Sequence, residues 1–131
     1  MMVLDASLAL AYAMPDEDSV AAESAMHRLE DAPALAPTVW IYEVASALRV
    51  GQLRNRLTAD VAHAVLTTLK ELHIEFEHPD GDQLLLLSRE TGLTVYDSSY
   101  LALCLKHRLP LASLDQRLVA AAREQGIEVL P

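Results

Sequence analysis

The sequence predicts an α/β fold built on a parallel sheet, and three observations carry that reading. Short apolar, strand-like runs alternate with helical patterns along the whole chain. One or two helical segments separate each strand candidate from the next, and crossovers of that kind join parallel strands with right-handed connections. The 131 residues contain no repeat, low-complexity segment or linker, so residues 1–131 are expected to form one domain. A chain of this length buries roughly two-thirds of its unfolded surface.

The elements follow in order. Val3-Leu4 begins a first strand, and Leu8 to Ala13 reads as a short helix ending before Pro15. Asp16 to Leu29 carries helical spacing, with Val20, Ala21, Ser24, Ala25 and Leu29 toward one side. Leu35-Ala36 is a strand between Pro33 and Pro37. Thr38 to Val50 is a helix capped by Thr38 and stopped by Gly51. Thr58 caps a further helix running to Leu72, with Val61, Val65, Leu66 and Leu69 on its apolar face. Ile74-Glu75-Phe76 alternates like a strand, and Asp80 to Arg89 is helical, closing at Gly92. Leu93 to Val95 either extends as a short strand or delivers the chain to the apolar helix Asp97 to His107. Leu109 to Ala112 is strand, Asp115 to Glu124 is helix ending at Gly126, and Ile127 to Leu130 is a last strand.

Composition narrows the function. The chain has 19 acidic residues against 10 Lys and Arg, a net charge of −9. That balance argues against a generic nucleic-acid binder, whose affinity comes mainly from neutralising phosphates. A polyanionic substrate would need a local basic patch or metal ions. The single cysteine, Cys104, rules out an internal disulfide and suits a reducing, cytoplasmic setting. It sits in Leu103-Cys104-Leu105 and reads as a buried structural thiol. The segment Met1 to Met14 has no Lys or Arg ahead of its apolar residues, so no secretory signal is expected, and no apolar run approaches the ~20 residues that span a bilayer. The chain is 52% hydrophobic and 22% charged, and part of that apolar excess is expected to cover a partner or a second copy.

Four carboxylates stand alone in apolar or small-residue surroundings: Asp5, Glu43, Asp97 and Asp115. None has a basic residue beside it to pair with. Asp5, Asp97 and Asp115 each precede a predicted helix, where Asp is a favoured N-cap. A turn of that kind also points into the crevice at the carboxyl ends of the strands, where open α/β sheets bind ligands. Glu43 has no such explanation. It lies inside a helix with Val39 and Ala47 at i±4 and no cation within reach, and burying it unpaired is costly. Gathered at one spot, the four acids would need a divalent cation to offset their repulsion. Hydroxyls accompany them at Ser7, Ser98, Ser99 and Ser113, in keeping with a hard-oxygen site for an ion such as Mg²⁺; each serine is also an ordinary turn residue.

Other chemistries lack their signatures. The five histidines show no zinc spacing, there is no Gly-rich phosphate loop, and there is no Gly-x-Ser-x-Gly elbow for a serine hydrolase.

The segments Met2-Val3-Leu4-Asp5-Ala6-Ser7, Glu43-Val44-Ala45-Ser46-Ala47-Leu48, Tyr96-Asp97-Ser98-Ser99-Tyr100-Leu101-Ala102-Leu103 and Leu111-Ala112-Ser113-Leu114-Asp115-Gln116-Arg117-Leu118 together resemble the PIN domain. More narrowly, they resemble the VapC-type ribonuclease toxins of toxin–antitoxin pairs, in length, motif order and spacing. The resemblance implies a five-stranded parallel sheet flanked by helices on both faces. It implies an endoribonuclease dependent on Mg²⁺ or Mn²⁺, a homodimer, and a cognate VapB-like antitoxin whose tail covers the active site. On the matching positions Asp5, Glu43, Asp97 and Asp115 become the catalytic, metal-binding quartet, with Ser7 and Ser113 as supporting hydroxyls. The family often has a small apolar residue where Ser98 stands.

The expected reaction is hydrolysis of an RNA phosphodiester by metal-activated water. Asp5, Asp97 and Asp115 are the expected direct ligands, and Glu43 binds through water or orients the nucleophile. Arg49, Arg54 and Arg56, at and beyond the end of the Glu43 helix, are placed to meet RNA phosphate or the antitoxin, although surface arginines are commonly only solvated. Two alternatives remain open at this stage: a non-catalytic PIN-like domain that binds RNA or a partner, and a metal nuclease acting on DNA.

Overall fold

The computed structural model describes residues 1–130. Its elements run β1 (Val3–Leu4), α1 (Ala6–Ala13), α2 (Val20–His27), a 3₁₀ turn (Arg28–Glu30), β2 (Ala34–Pro37), α3 (Trp40–Leu53), α4 (Ala59–Lys70), β3 (Ile74–Glu77), α5 (Gly81–Thr91), α6 (Val95–His107), β4 (Leu111–Ala112) and α7 (Gln116–Glu124). All strand pairs are parallel, in the order β3-β2-β1-β4. The chain therefore winds from β1 outward through β2 to β3, then returns to place β4 on the other side of β1. That reversal is a topological switch point, and it puts the ends of β1 and β4 side by side, with Leu4 paired to Ala112.

The strands are short and fully apolar at the centre: Val3, Leu4, Leu111 and Ala112 are all buried. Such runs suit a parallel sheet covered by helices, where no strand face needs to meet water. α6 packs along β1, β2 and β4, and its run Ser98 to Cys104 is buried throughout. α5 packs on α6, while α1 packs against α2, α3 and α4. The Cys104 thiol lies inside this core, where burial pushes its pKa up to about 12, so it is the inert structural cysteine expected. No helix among the described residues is long and apolar enough to cross a membrane.

Several expectations need correction. The sheet has four strands, not five. The fifth run lies parallel beside β4 but joins it only as a single bridge, Leu111 to Val129. β4 is two residues long, and Leu111 alone exchanges bonds with the segment: its N–H donates to Glu128 O at 2.8 Å and its carbonyl accepts from Leu130 N at 2.8 Å. Of the two readings for Leu93 to Val95, the second holds: Leu93 and Thr94 deliver the chain to α6, which Val95 opens.

The helix starts also differ. Thr38 does not cap α3, which begins at Trp40; its hydroxyl hydrogen-bonds His78 Nδ1 instead. Gly51 does not stop that helix but lies buried within it, where an added Cβ would meet Leu57 Cδ1 at 2.9 Å. A close approach of another side chain, not chain termination, explains this glycine. α2 starts only at Val20, because Ser19 caps it by accepting from Ala22 N. Its inward residues are accordingly Ala22, Ala25 and Met26, and Val20 is 81% exposed. Thr58 caps α4 as predicted, Asp80 caps α5 by accepting from Gln83 N, and Gly92 closes α5 with φ 75°.

Candidate functional site

The site assembles where β1 and β4 end. Asp5 follows β1 directly, and its backbone N–H donates to Ala112 O at 2.9 Å, extending the β1–β4 register by one step. Asp5 is therefore held beside Ser113, the residue after β4. Two hydroxyls meet on one of its carboxylate oxygens: Ser7 Oγ and Ser113 Oγ each donate to Oδ2 at 2.6 Å. A carboxylate only accepts, so each serine's single proton points at Asp5. Each serine in turn accepts a backbone N–H, Ser7 from Leu114 at 3.1 Å and Ser113 from Asp115 at 3.0 Å. Both hydroxyls are thus fully directed, and Oδ1 has no side-chain partner among the described residues. Asp5 was expected to cap α1, yet its side chain makes no cap bond; these serines hold it instead.

Asp115 does act as a cap. Its Oδ1 accepts from Arg117 N at 3.0 Å and Leu118 N at 3.2 Å, satisfying two of the orphan donors of α7. Asp97 does not cap α6. Thr94 takes that role, accepting from Asp97 N at 3.1 Å, and Asp97 falls in the first turn of the helix. The reason is register: α6 begins two residues earlier than predicted, at Val95. Glu43, in the first turn of α3, accepts a hydrogen bond on Oε1 from the Tyr100 hydroxyl at 2.5 Å.

These placements bring all four acids into one another's fields. Burial raises the Asp5 pKa, against the pull of Ser113 and Ser7, and Asp115 raises it further. Burial also raises Glu43, to about 7; the Tyr100 hydroxyl opposes this, while Asp5, Asp97 and Asp115 add to it. Asp97 is raised by burial and by Asp115 and Asp5, with Arg117 and the Thr94 hydroxyl opposing. Desolvation and mutual repulsion both favour protonation. Among the described residues the cation that opposes this repulsion is Arg117, acting at Asp97.

Tyr100 and Arg117 escaped the sequence reading. Tyr100 lies three residues after Asp97, on the same side of a helix, which is the signal that could have found it. Arg117 sits in the first turn of α7, where a helix dipole disfavours a cation, so another use was the clue. Of the other predicted residues, Ser98 is fully buried with its hydroxyl unpartnered, and Ser99 donates to the Tyr96 carbonyl, so neither serves the acids. Arg56 is tied to Asp16 at 2.8 Å and Glu17 at 3.7 Å, an exposed pairing, and Arg56 and Glu17 line a cavity that Ser7 also lines. Arg49 and Arg54 are exposed and make no ion pair among the described residues.

The donor set fits a hard cation. Every candidate ligand is oxygen, and Asp5, Glu43 and Asp115 are each anchored through one carboxylate oxygen, with the other unpartnered by any described side chain. Mg²⁺ and Mn²⁺ favour such ligands and keep several waters. Among the described residues no three of these side chains already close into a ligand cage.

Comparison with known proteins places the chain. Residues 2–124 match the family model of the PIN domain. Ribonuclease VapC3 of Pyrobaculum aerophilum is 32% identical over 121 residues, covering 89% of this chain and 91% of that protein. Three crystal structures share the fold. PAE2754 from Pyrobaculum aerophilum aligns with a TM-score of 0.72 at 24% identity, over 92% of this chain and 78% of that one. FitAcB from Neisseria gonorrhoeae aligns at 0.68 and 15% identity, over 100% and 97%. VapC20 of Mycobacterium tuberculosis, a sarcin-ricin loop cleaving toxin, aligns at 0.65 and 16% identity over the full length of both chains.

Proposed function

Since the chain belongs to the PIN-domain family and to its VapC type, we propose that it is a metal-dependent endoribonuclease, the toxin of a VapBC-type pair, using Asp5, Glu43, Asp97 and Asp115 as its active site. The observation that supports this reading is that four carboxylates from separate segments lie in one another's fields beside the β1–β4 switch point, with Arg117 opposing them at Asp97. A fold that merely capped its helices with these residues would need neither the paired serines on Asp5 nor the tyrosine on Glu43. The name of the relative, a ribonuclease, supports RNA as the substrate.

A Mg²⁺ or Mn²⁺ ion at this site supplies charge neutralisation on the phosphate and makes water a competent nucleophile at neutral pH. The protein's share is position. Ser7 and Ser113 fix the Asp5 carboxylate through Oδ2 and leave Oδ1 for the ion. Asp115 is held by the start of α7 through Oδ1 in the same way. Asp97 completes the direct ligands from the first turn of α6. Glu43, held through Oε1 by Tyr100, orients the attacking water or accepts its proton, a role that suits a carboxyl whose pKa lies at about 7. Arg117 offsets part of the site's negative charge and faces the incoming phosphate. Arg49 and Arg54 remain available for the RNA backbone or the antitoxin, whereas Arg56 would first have to leave Asp16. A VapB-like antitoxin and a homodimer follow from the same family reading.

The test is direct. Purified protein incubated with labelled RNA and Mn²⁺ should cleave it, a chelator should stop the reaction, and Asp5→Asn should lower the rate by about 10³-fold or more, a loss in keeping with removal of a positioned metal ligand. DNA of the same sequence should survive. Cleavage that persists in chelator, or in Asp5→Asn at the wild-type rate, would overturn the assignment; cleavage of DNA alone would move it to a DNA nuclease.

A further inference from the structure

Two tyrosines stand at the rim of the acid site without any role so far. Tyr42 is 74% exposed and Tyr96 is 62% exposed, and each immediately precedes one of the acids, Glu43 and Asp97. On a helix, consecutive side chains diverge by about 100°, so the acid can turn inward while its tyrosine stays at the surface. Tyr42 on α3 and Tyr96 on α6 line one open groove of about 510 Å³, together with Glu43, Asp97, Ser46 and Thr94. Trp40 and Phe76 form a tilted aromatic pair elsewhere, 5.7 Å apart, and Tyr42 and Tyr96 are not packed on each other.

We infer that Tyr42 and Tyr96 are stacking platforms for the bases of an unpaired RNA segment that runs along this groove into the acid site. The inference rests on the nuclease reading of that site. A strand whose phosphate reaches Glu43 and Asp97 crosses the groove, because those two residues form part of its wall. With a net charge of −9 the chain draws little affinity from phosphate neutralisation. Aromatic faces bind bases without opposite charge, at about 1–3 kcal/mol per stacked base. Bases inside a duplex already have both faces covered, so the platforms select loops, bulges and single strands. The remaining wall mixes apolar surface, from Val39 and Ala47, with two hydroxyls. Thr94 Oγ1 accepts from Asp97 N and keeps its own proton for a ligand, and Ser46 adds a second hydroxyl. The two hydroxyls suit base edges and ribose hydroxyls beside a stacked base.

The experiment measures fluorescence anisotropy of a labelled, unstructured oligoribonucleotide in Mg²⁺, alone and annealed to its complement, with cleavage in Mn²⁺ followed in parallel. The wild type should bind the single strand at least ten times more tightly than the duplex. Tyr42→Ala and Tyr96→Ala should each weaken single-strand binding about 5- to 150-fold, the range of one lost stack. Both should leave duplex binding unchanged, and Tyr42→Phe and Tyr96→Phe should bind like the wild type. Equal binding by the Ala variants, failure of the wild type to bind the single strand, or Phe variants as weak as Ala would overturn the inference. So would an Ala variant that loses binding only by changing the protein's mass in light scattering, since the tyrosines would then form an interface between copies. Cleavage that persists while the tyrosines prove irrelevant sinks this inference and spares the nuclease. Tyrosine-dependent binding without any Mn²⁺-dependent cleavage does the reverse.

Discussion

Asp5 is only 5% exposed, and an unpaired carboxylate at that depth would be costly. Two serine hydroxyls on Oδ2 offset part of the cost, but not all, since its pKa stays above the ordinary value. Glu43 repeats the pattern with a single donor, Tyr100. That donor can be tested. Because the Tyr100 hydroxyl lowers the Glu43 pKa, Tyr100→Phe should push it above the present value of about 7. If ionised Glu43 serves the reaction, the acid limb of the pH–rate profile should move to higher pH at fixed Mn²⁺, with much of the rate recovered under alkaline conditions. An unmoved limb with a uniformly lower rate would make Tyr100 a packing residue only. At this scale the sequence exposed the acids but not their partners. The isolation of Glu43 in an apolar helix was visible from its neighbours alone. The hydroxyl that satisfies it comes from 57 positions away, and only the packing of α6 against the sheet brings it there.

Among the elements, the helix starts decide which acids are structural. Thr94 and Asp97 both precede or open an apolar helix, and a sequence pattern accepts either as the cap. The structure selects Thr94, because α6 must begin early enough to bury Ser98 through Cys104 along the sheet. Thr94→Ala should therefore cost about 1 kcal/mol, the usual loss of an N-cap. Asp97→Asn should not. It gives up the attraction of a first-turn acid to the helix dipole, worth about 0.3–1 kcal/mol at an exposed position. Burial and the fields of Asp115 and Asp5 oppose that gain, and the raised pKa says that they win. Metal-free Asp97→Asn should thus match or exceed the wild type in urea at pH 8, while Thr94→Ala falls below it. The opposite order would return the cap to Asp97. Three strands were legible as short apolar runs beside Pro or Asp, and β3 from the alternation of Ile74, Glu75 and Phe76. The exception, Ile127 to Leu130, has a strand's composition but too short a neighbour to pair with.

Across the whole molecule the acid site sets how stability depends on pH. Glu43 titrates near 4.5 when free of its surroundings and at about 7 in the fold, and Asp5 and Asp97 are also raised. Between those values the folded chain holds a proton that the unfolded chain has released, so stability falls as pH rises through that window and stays low above it. Glu43 is partly exposed, and after discounting for solvent screening its share is about 1–2 kcal/mol. Asp16 and Glu77 work in the opposite direction, lowered by Arg56 and by His107 and Lys106, but their effect lies below the ordinary carboxylate range and they are exposed. In chelator the protein should therefore melt a few degrees higher at pH 5 than at pH 8, and Glu43→Gln should flatten the difference. A divalent cation that binds only the folded state should reverse the trend at pH 8, adding about 2.7 kcal/mol at a hundred times its dissociation constant. Asp97→Asn should lose most of that response. Equal Mn²⁺ stabilisation of both proteins, or a metal-free wild type that grows more stable from pH 5 to pH 8, would show that the four carboxylates do not act as one site. Measured together, the two responses separate a gathered metal centre from four acids that merely share a sheet edge, because only the first couples proton release to cation binding.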